Sequence, residues 1–222
     1  MNCKEHYLPE LELSTAQVRS ALQCILHTIL FLRSPGPVTP KDVECEDFNL
    51  TYARIANNHQ NQPPNKAMGN IVHSLENDID QKVDDAIESF LRTLSQIGPE
   101  LLSGCLTVSF FERRATRQLF GLVSHEERVV FEQWVIRLVV NNTPRPISND
   151  SAALMERQRI QDTAEGMLRS VLSKIFEITG GPIDHLPPVM YEFDISCSKR
   201  ADDRENVYSR VANMPPILNL TT

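Results

Sequence analysis

Few residues in this chain suit metal, redox or phosphate chemistry. Of 222 residues only five are cysteine: Cys3, Cys24, Cys45, Cys105 and Cys197. Their number is odd, their spacing is wide, and no Cys-x-x-Cys pair occurs. That argues against a zinc ligand set and a disulfide framework. It leaves reduced, mostly buried thiols, as in a cytosolic protein. The histidines (His6, His27, His59, His73, His125 and His185) form neither His-x-His nor His-Glu-x-x-His, so no metal cofactor is expected. Gly180-Gly181 has neither the spacing nor the lysine of a phosphate loop, and no Gly-x-Ser-x-Gly elbow is present. Positive charge is also scarce. Lys and Arg number 22 against 29 Asp and Glu, a net charge of −7. The densest cationic stretch, Glu112-Arg113-Arg114-Ala115-Thr116-Arg117, is short and interrupted, which argues against a nucleic-acid partner. No apolar run approaches the ~18 residues of a membrane span, and Met1 to His6 carries no signal core. Four sequons, at Asn49, Asn141, Asn149 and Asn219, are read as chance matches without an export signal.

What is present is an ordinary globular pattern, 41% hydrophobic, in alternating elements. Leu11 and Leu13 flank Glu12 in a short half-buried strand within residues 5–13. Ser14 and Gln17 have capping-box spacing. After them Val18, Leu22, Ile25, Ile29 and Leu32 recur at helical steps, and Ala21, Leu26 and Leu30 widen the stripe. This helix therefore meets a core on more than one side, and Ser34-Pro35-Gly36-Pro37 ends it. Phe48, Leu50 and Tyr52 alternate in a second strand, and residues 57–65 read as a loop. A second helix is marked by Ile71, Leu75, Ile79, Val83, Ile87, Phe90 and Leu94. Leu106, Val108 and Phe110 mark one further strand. Trp134, Ile136, Leu138 and Val140 mark another that is apolar on both faces, with about fifteen residues between the two strands. A third long helix spans Ser151 to Thr179, with Leu154, Met167, Leu168, Val171, Leu172, Ile175 and Phe176 inward; weaker apolar spacing between Met155 and Gly166 allows a bend or two helices. Val189, Tyr191, Phe193 and Ile195 give the last strand. The order predicts one α+β domain, with three long helices packed against a largely antiparallel sheet. The domain takes residues 1–196, and residues 197–222 form a loosely docked or flexible tail.

No catalytic constellation is visible. The carboxylates Asp78, Asp80, Asp84, Asp85 and Glu88 read as a solvated helix face. His27, inside an apolar helix, reads as a buried structural residue with its ring hydrogen-bonded. The chain is accordingly expected to work by binding.

Five stretches together resemble the autophagy-related protein 101 family, a HORMA-domain family. They are Cys24 to Arg33 (CILHTILFLR), Phe48 to Ile55 (FNLTYARI), Val108 to Arg114 (VSFFERR), Phe131 to Leu138 (FEQWVIRL) and Asp184 to Pro188 (DHLPP). Their order and spacing cover roughly residues 8–190. The resemblance implies a single HORMA-type domain without catalysis or cofactor. It implies pairing with, and stabilisation of, the HORMA domain of autophagy-related protein 13. It also implies a place in the autophagy-initiation kinase complex, and cytoplasmic residence with recruitment to the autophagosome assembly site. Family members carry an exposed Arg-Trp-Pro-Phe loop that recruits downstream factors. Here that place reads Arg117-Gln118-Leu119-Phe120. Phe120 keeps the Phe position, Gln118 replaces Trp, and Leu119 replaces Pro. Arg117, Leu119, Phe120, Leu122 and Val123 are therefore the candidate partner-binding residues, since exposed apolar clusters mark interaction sites. Two alternatives remain at this level. One is a HORMA adaptor of the checkpoint type, clamping a peptide with residues 189–220. The other is an enzyme whose site assembles from His125, Glu126 and Asp184.

Overall fold

The computed structural model describes residues 3–35, 38–45, 47–55, 69–118, 123–143 and 150–199. Eight strands and three helices follow in chain order. They are β1 (Lys4–Tyr7), β2 (Leu11–Ser14), α1 (Thr15–Leu32), β3 (Pro40–Cys45), β4 (Leu50–Ile55), α2 (Gly69–Thr93), β5 (Ser95–Gly98), β6 (Leu101–Gln118), β7 (Val123–Asn141), α3 (Ser151–Thr179) and β8 (Glu192–Ser198). This is a mixed, antiparallel-dominated α+β domain, as the sequence predicts.

The main sheet is built on the β6–β7 hairpin. β5 and β8 pair antiparallel with successive parts of β6, while β1 and β2 pair parallel with successive parts of β7. The expected first strand is thus two, divided at Leu8-Pro9-Glu10, where proline supplies no amide to the ladder. β3 and β4 form a separate two-stranded sheet against α1. β8 runs through Ser198, so Cys197 and Ser198, assigned to the tail by sequence, belong to the sheet. The rest of that tail, residues 200–222, lies outside the described residues.

α1 is the centre of the core. Val18, Ala21, Leu22, Cys24, Ile25, Leu26, Ile29 and Leu30 are all buried, which the all-round stripe anticipates. At its start, Gln17 Oε1 accepts from the Ser14 backbone N–H at 3.2 Å and from the Ser14 hydroxyl at 2.7 Å. The glutamine half of the capping box therefore forms. On α2, Val83, Ile87 and Phe90 are buried. Gly104 on β6 allows this close approach: a Cβ there would stand 2.7 Å from the Phe90 ring. α3 is one continuous helix. Its Asp150 cap accepts from the Ala153 N–H at 2.7 Å, and its buried row is Ala153, Ala164, Leu168, Val171 and Ile175. Leu154 and Phe176, expected inward, are 51% and 55% exposed, because each sits one residue, about 100°, off that row.

The acidic face of α2 is also not simply solvated. Asp80, Asp84 and Glu88 recur every four residues and face Arg19, Gln23 and His27, which recur every four on α1. Arg19 pairs with Glu88, Gln23 Nε2 donates to Asp84 at 3.0 Å, and His27 Nε2 lies 3.8 Å from Asp80. Arg54 of β4 also bonds Asp80. His27 is buried, as predicted, but its Nδ1 has no hydrogen-bond partner among the described residues. Burial pushes its pKa down to about 4, Asp80 opposing and Arg54 assisting. The five cysteines form no disulfide, and Cys24, Cys45 and Cys105 are buried.

Candidate functional site

Two features on β7 stand out: a paired ribbon at one end, and a buried carboxylate at its root. β6 and β7 stay in register from Leu101↔Asn141 to Gln118↔Val123. β8 leaves β6 at Phe111↔Glu192 and β1 meets β7 no further than Lys4↔Glu132. Beyond those points, among the described residues, the two strands pair only with each other. Residues 111–118 thus carry a two-stranded ribbon roughly 23 Å past the last flanking strand, at ~3.3 Å per residue. The connection between the aromatic and tryptophan strands is correspondingly much shorter than the fifteen residues expected. Arg117 is the last residue but one of β6, and Val123 begins β7. Leu119, Phe120 and Leu122, between the two in sequence, lie outside the described residues.

The ribbon is pinned at its base. Arg113 bonds Glu192 of β8 at 2.8 Å. The Arg128 guanidinium sits 4.9 Å over the Phe111 ring. These contacts give each of the directly opposed Arg113 and Arg128 a local partner, where like charges facing across strands are otherwise destabilising.

At the root a β-bulge intervenes. Phe110 pairs with Glu132 but Phe111 pairs with Val130, leaving Phe131 as the extra residue. Glu132 shares the phase of Trp134, Ile136, Leu138 and Val140, the core-facing side of β7, and is fully buried. Three segments converge on it. Arg33, capping the end of α1, donates Nε to both carboxylate oxygens (2.9 and 3.1 Å) and Nη2 to Oε1 (3.1 Å). His6 of β1 donates Nε2 to Oε1 at 2.9 Å; an ionised carboxylate only accepts, so this nitrogen carries the proton. His185, between α3 and β8, brings Nε2 to 3.2 Å of the same oxygen, without hydrogen-bond alignment. Tyr191 donates its hydroxyl to the Arg33 carbonyl at 2.8 Å. The rings close the cluster: His6 lies 4.6 Å from Trp134, and Tyr191 stands edge-on to Phe131 at 5.0 Å. Burial alone would push the Glu132 carboxyl up. The hydrogen bonds from His6 and Arg33, the Arg33 charge and His185 outweigh it and hold the pKa at about 2.

The ligand atoms of His6, Glu132 and His185 lie within 4.8 Å of one another, which is metal-site spacing. The donor set is wrong for a metal. Arg33 already takes both oxygens, and a dication would share one carboxylate with a buried guanidinium. The arrangement is a neutralised tether. The alternative set named from sequence does not assemble. Glu126 and Glu132 are separated by about 20 Å along β7, while Asp184, which is exposed, adjoins His185 at the Glu132 end. The cluster itself was missed by sequence reading. Its one sign was a charged residue in the core phase of an apolar strand.

Fold and site define a mixed α/β domain whose buried ionic groups hold distant segments together. The model of autophagy-related protein 101 matches residues 10–192; the chain belongs to that family. It is 28% identical to the Arabidopsis thaliana autophagy-related protein 101 over 217 residues, covering 91% of this chain and 90% of that one. It is 23% identical to the Xenopus laevis protein over 186 residues (76% and 74%). It is 24% identical to the human protein over 153 residues (63% and 59%). Among the described residues no helix is long and apolar enough to cross a membrane.

Proposed function

We propose that the chain is a non-catalytic adaptor of the autophagy-initiation kinase complex. Its HORMA-type domain pairs with the HORMA domain of autophagy-related protein 13, stabilises it, and uses no cofactor. The observation that carries this reading is the family match across residues 10–192. The ionic groups in the interior support it, since Glu132, Arg33 and His6 bond one another and are directed at tethering. The β6–β7 ribbon supports the second half of the role, recruitment of downstream autophagy factors. Its end carries Arg117, Leu119, Phe120, Leu122 and Val123, with Phe120 as the aromatic anchor. The chain acts in the cytoplasm and travels with the complex to the autophagosome assembly site.

Co-expression with the cognate autophagy-related protein 13 HORMA domain tests the pairing. The two chains are expected to co-purify; a well-folded chain showing no association overturns the reading. Phe120→Ala is expected to leave that pair intact and to weaken capture of downstream factors. Equal capture by the variant removes the tip from the mechanism.

A further inference from the structure

The Glu132 cluster joins parts of the chain that share no backbone ladder. β1 is the first strand of the sheet, with a single pairing partner, β7. β8 is the last, paired with β6. They lie on opposite sides of the β6–β7 hairpin, with no shared ladder. Among the described residues, side chains under the hairpin bring them together. His6 leaves β1 to reach Glu132 Oε1, and His185 leaves the passage into β8 to reach the same atom. Arg33 spans both, holding the carboxylate with its guanidinium and the Tyr191 hydroxyl, one residue before β8, with its carbonyl. Phe110 and Phe131 clasp the Tyr191 ring.

We propose that Glu132 is a shared latch coupling the N-terminal strand β1 to the C-terminal strand β8, so that loosening either strand at the latch loosens the other. The cause is economy of acceptors. Oε1 accepts from His6 and Arg33 and is flanked by the His185 ring nitrogen at 3.2 Å, so each of the three helps fix the carboxylate orientation that the others require. Removing His6 frees the carboxylate to turn and Arg33 to follow it. The Arg33 carbonyl is part of the same chain turn, so the Tyr191 tether weakens. The consequence is exposure of the β6 edge from Cys105 to Phe111, which β8 covers. This inference does not depend on the adaptor reading.

Hydrogen–deuterium exchange on the full chain tests it. His6→Phe keeps a ring against Trp134 and removes the donor. Exchange is expected to rise at least tenfold in residues 4–8 and again in residues 192–198, with β3–β4 unchanged. His185→Phe is expected to give the reciprocal pattern, with β1 accelerated. Tyr7→Ala, at a 52% exposed position of the same strand, is expected to leave β8 as it was. Acceleration confined to β1 in His6→Phe overturns the latch, as does a uniform rise over the whole chain. Should His6→Phe fail to fold, His6→Leu, which also lacks a donor, serves with the same readout and the same two refuting outcomes.

Discussion

Replacing Glu132 with glutamine changes one oxygen for an amide and leaves the shape nearly intact, so the cost is almost purely electrostatic. Two routes give its size. Breaking a buried pair by removing one charge costs about 3–5 kcal/mol, because the partner stays buried and unpaired. Here the stranded partner is Arg33, only 4% exposed, whose three hydrogen bonds to the carboxylate lose its charge and one of its two accepting oxygens. Independently, a carboxyl held at about 2 in the folded chain and near ~4.3 when unfolded contributes on the order of 3 kcal/mol, at ~1.4 kcal/mol per pKa unit. The routes agree at about 3 kcal/mol, or roughly 6–10 °C in Tm for a domain of this size. Trp134 is the only tryptophan and is fully buried 4.6 Å from His6, so urea unfolding followed by its fluorescence reads the cluster directly. Glu132→Gln is expected to lower the midpoint with an unchanged slope. Arg33→Met combined with Glu132→Leu is expected to recover much of the loss, since a buried pair replaced by apolar groups costs little. A single variant within 1 kcal/mol of wild type, or a double variant no better than the single, would refute the reasoning. The wild-type contribution has its own pH signature. The folded value is the lower one, so the contribution is complete above about pH 4.5 and is lost as pH falls toward about 2.

His27 has a separate window. Its folded pKa of about 4 lies below the ordinary 6.5, so stability falls as pH drops from about 6.5 to about 4, by up to roughly 3 kcal/mol. His27→Gln is expected to remove that part of the slope, as measured by urea midpoints across the range; an unchanged slope refutes a buried neutral imidazole. Gly104→Ala places a Cβ 2.7 Å from Phe90 Cε2 and 3.0 Å from Leu94 Cδ2. Phe90 is fully buried and cannot swing away, so a loss of about 1–3 kcal/mol is expected by thermal melting. Asp150→Ala removes the cap on Ala153 N–H and is expected to cost about 1 kcal/mol, with faster amide exchange limited to the first turn of α3.

The elements that sequence reading recovered are those whose partners are the core itself. α1, the described part of α2, and the central parts of β6 and β7 bury a stripe, and a stripe leaves a period. β3 has only Val43 and Cys45 to offer after Pro40; its ladder with β4 makes it a strand, and that partner is not written in its own residues. β5 is four residues held by the start of β6. The outer arms of the ribbon are rich in Arg and Glu. Their pairing is carried by backbone bonds between the two strands, so no apolar alternation announces them. The acidic run of α2 was misread for a related reason. A carboxylate row at every fourth residue looks the same whether it faces water or Arg19 and Gln23 on another helix.

The Glu132 cluster was harder still, since His6, Arg33, Glu132 and His185 span the described chain and each is ordinary alone. Its position nevertheless ties it to the ribbon. The bulge that inserts Phe131 separates the sheet-bound part of β7 from the ribbon part, and bulges set the bend and twist of what lies beyond them. Tyr191 packs on Phe110 and Phe131, the residues flanking that break, and its hydroxyl is held by Arg33. Arg113, two residues into the ribbon, is in turn held by Glu192, the neighbour of Tyr191. Beside the Arg128–Phe111 contact, the direction in which the ribbon leaves the sheet is therefore set by contacts through the segment Tyr191–Glu192, and that segment is fixed from beneath by Arg33 and Glu132. A two-stranded arm has no rigidity of its own beyond its backbone ladder. Its aim must come from its root, and here the root is an ion pair in the core.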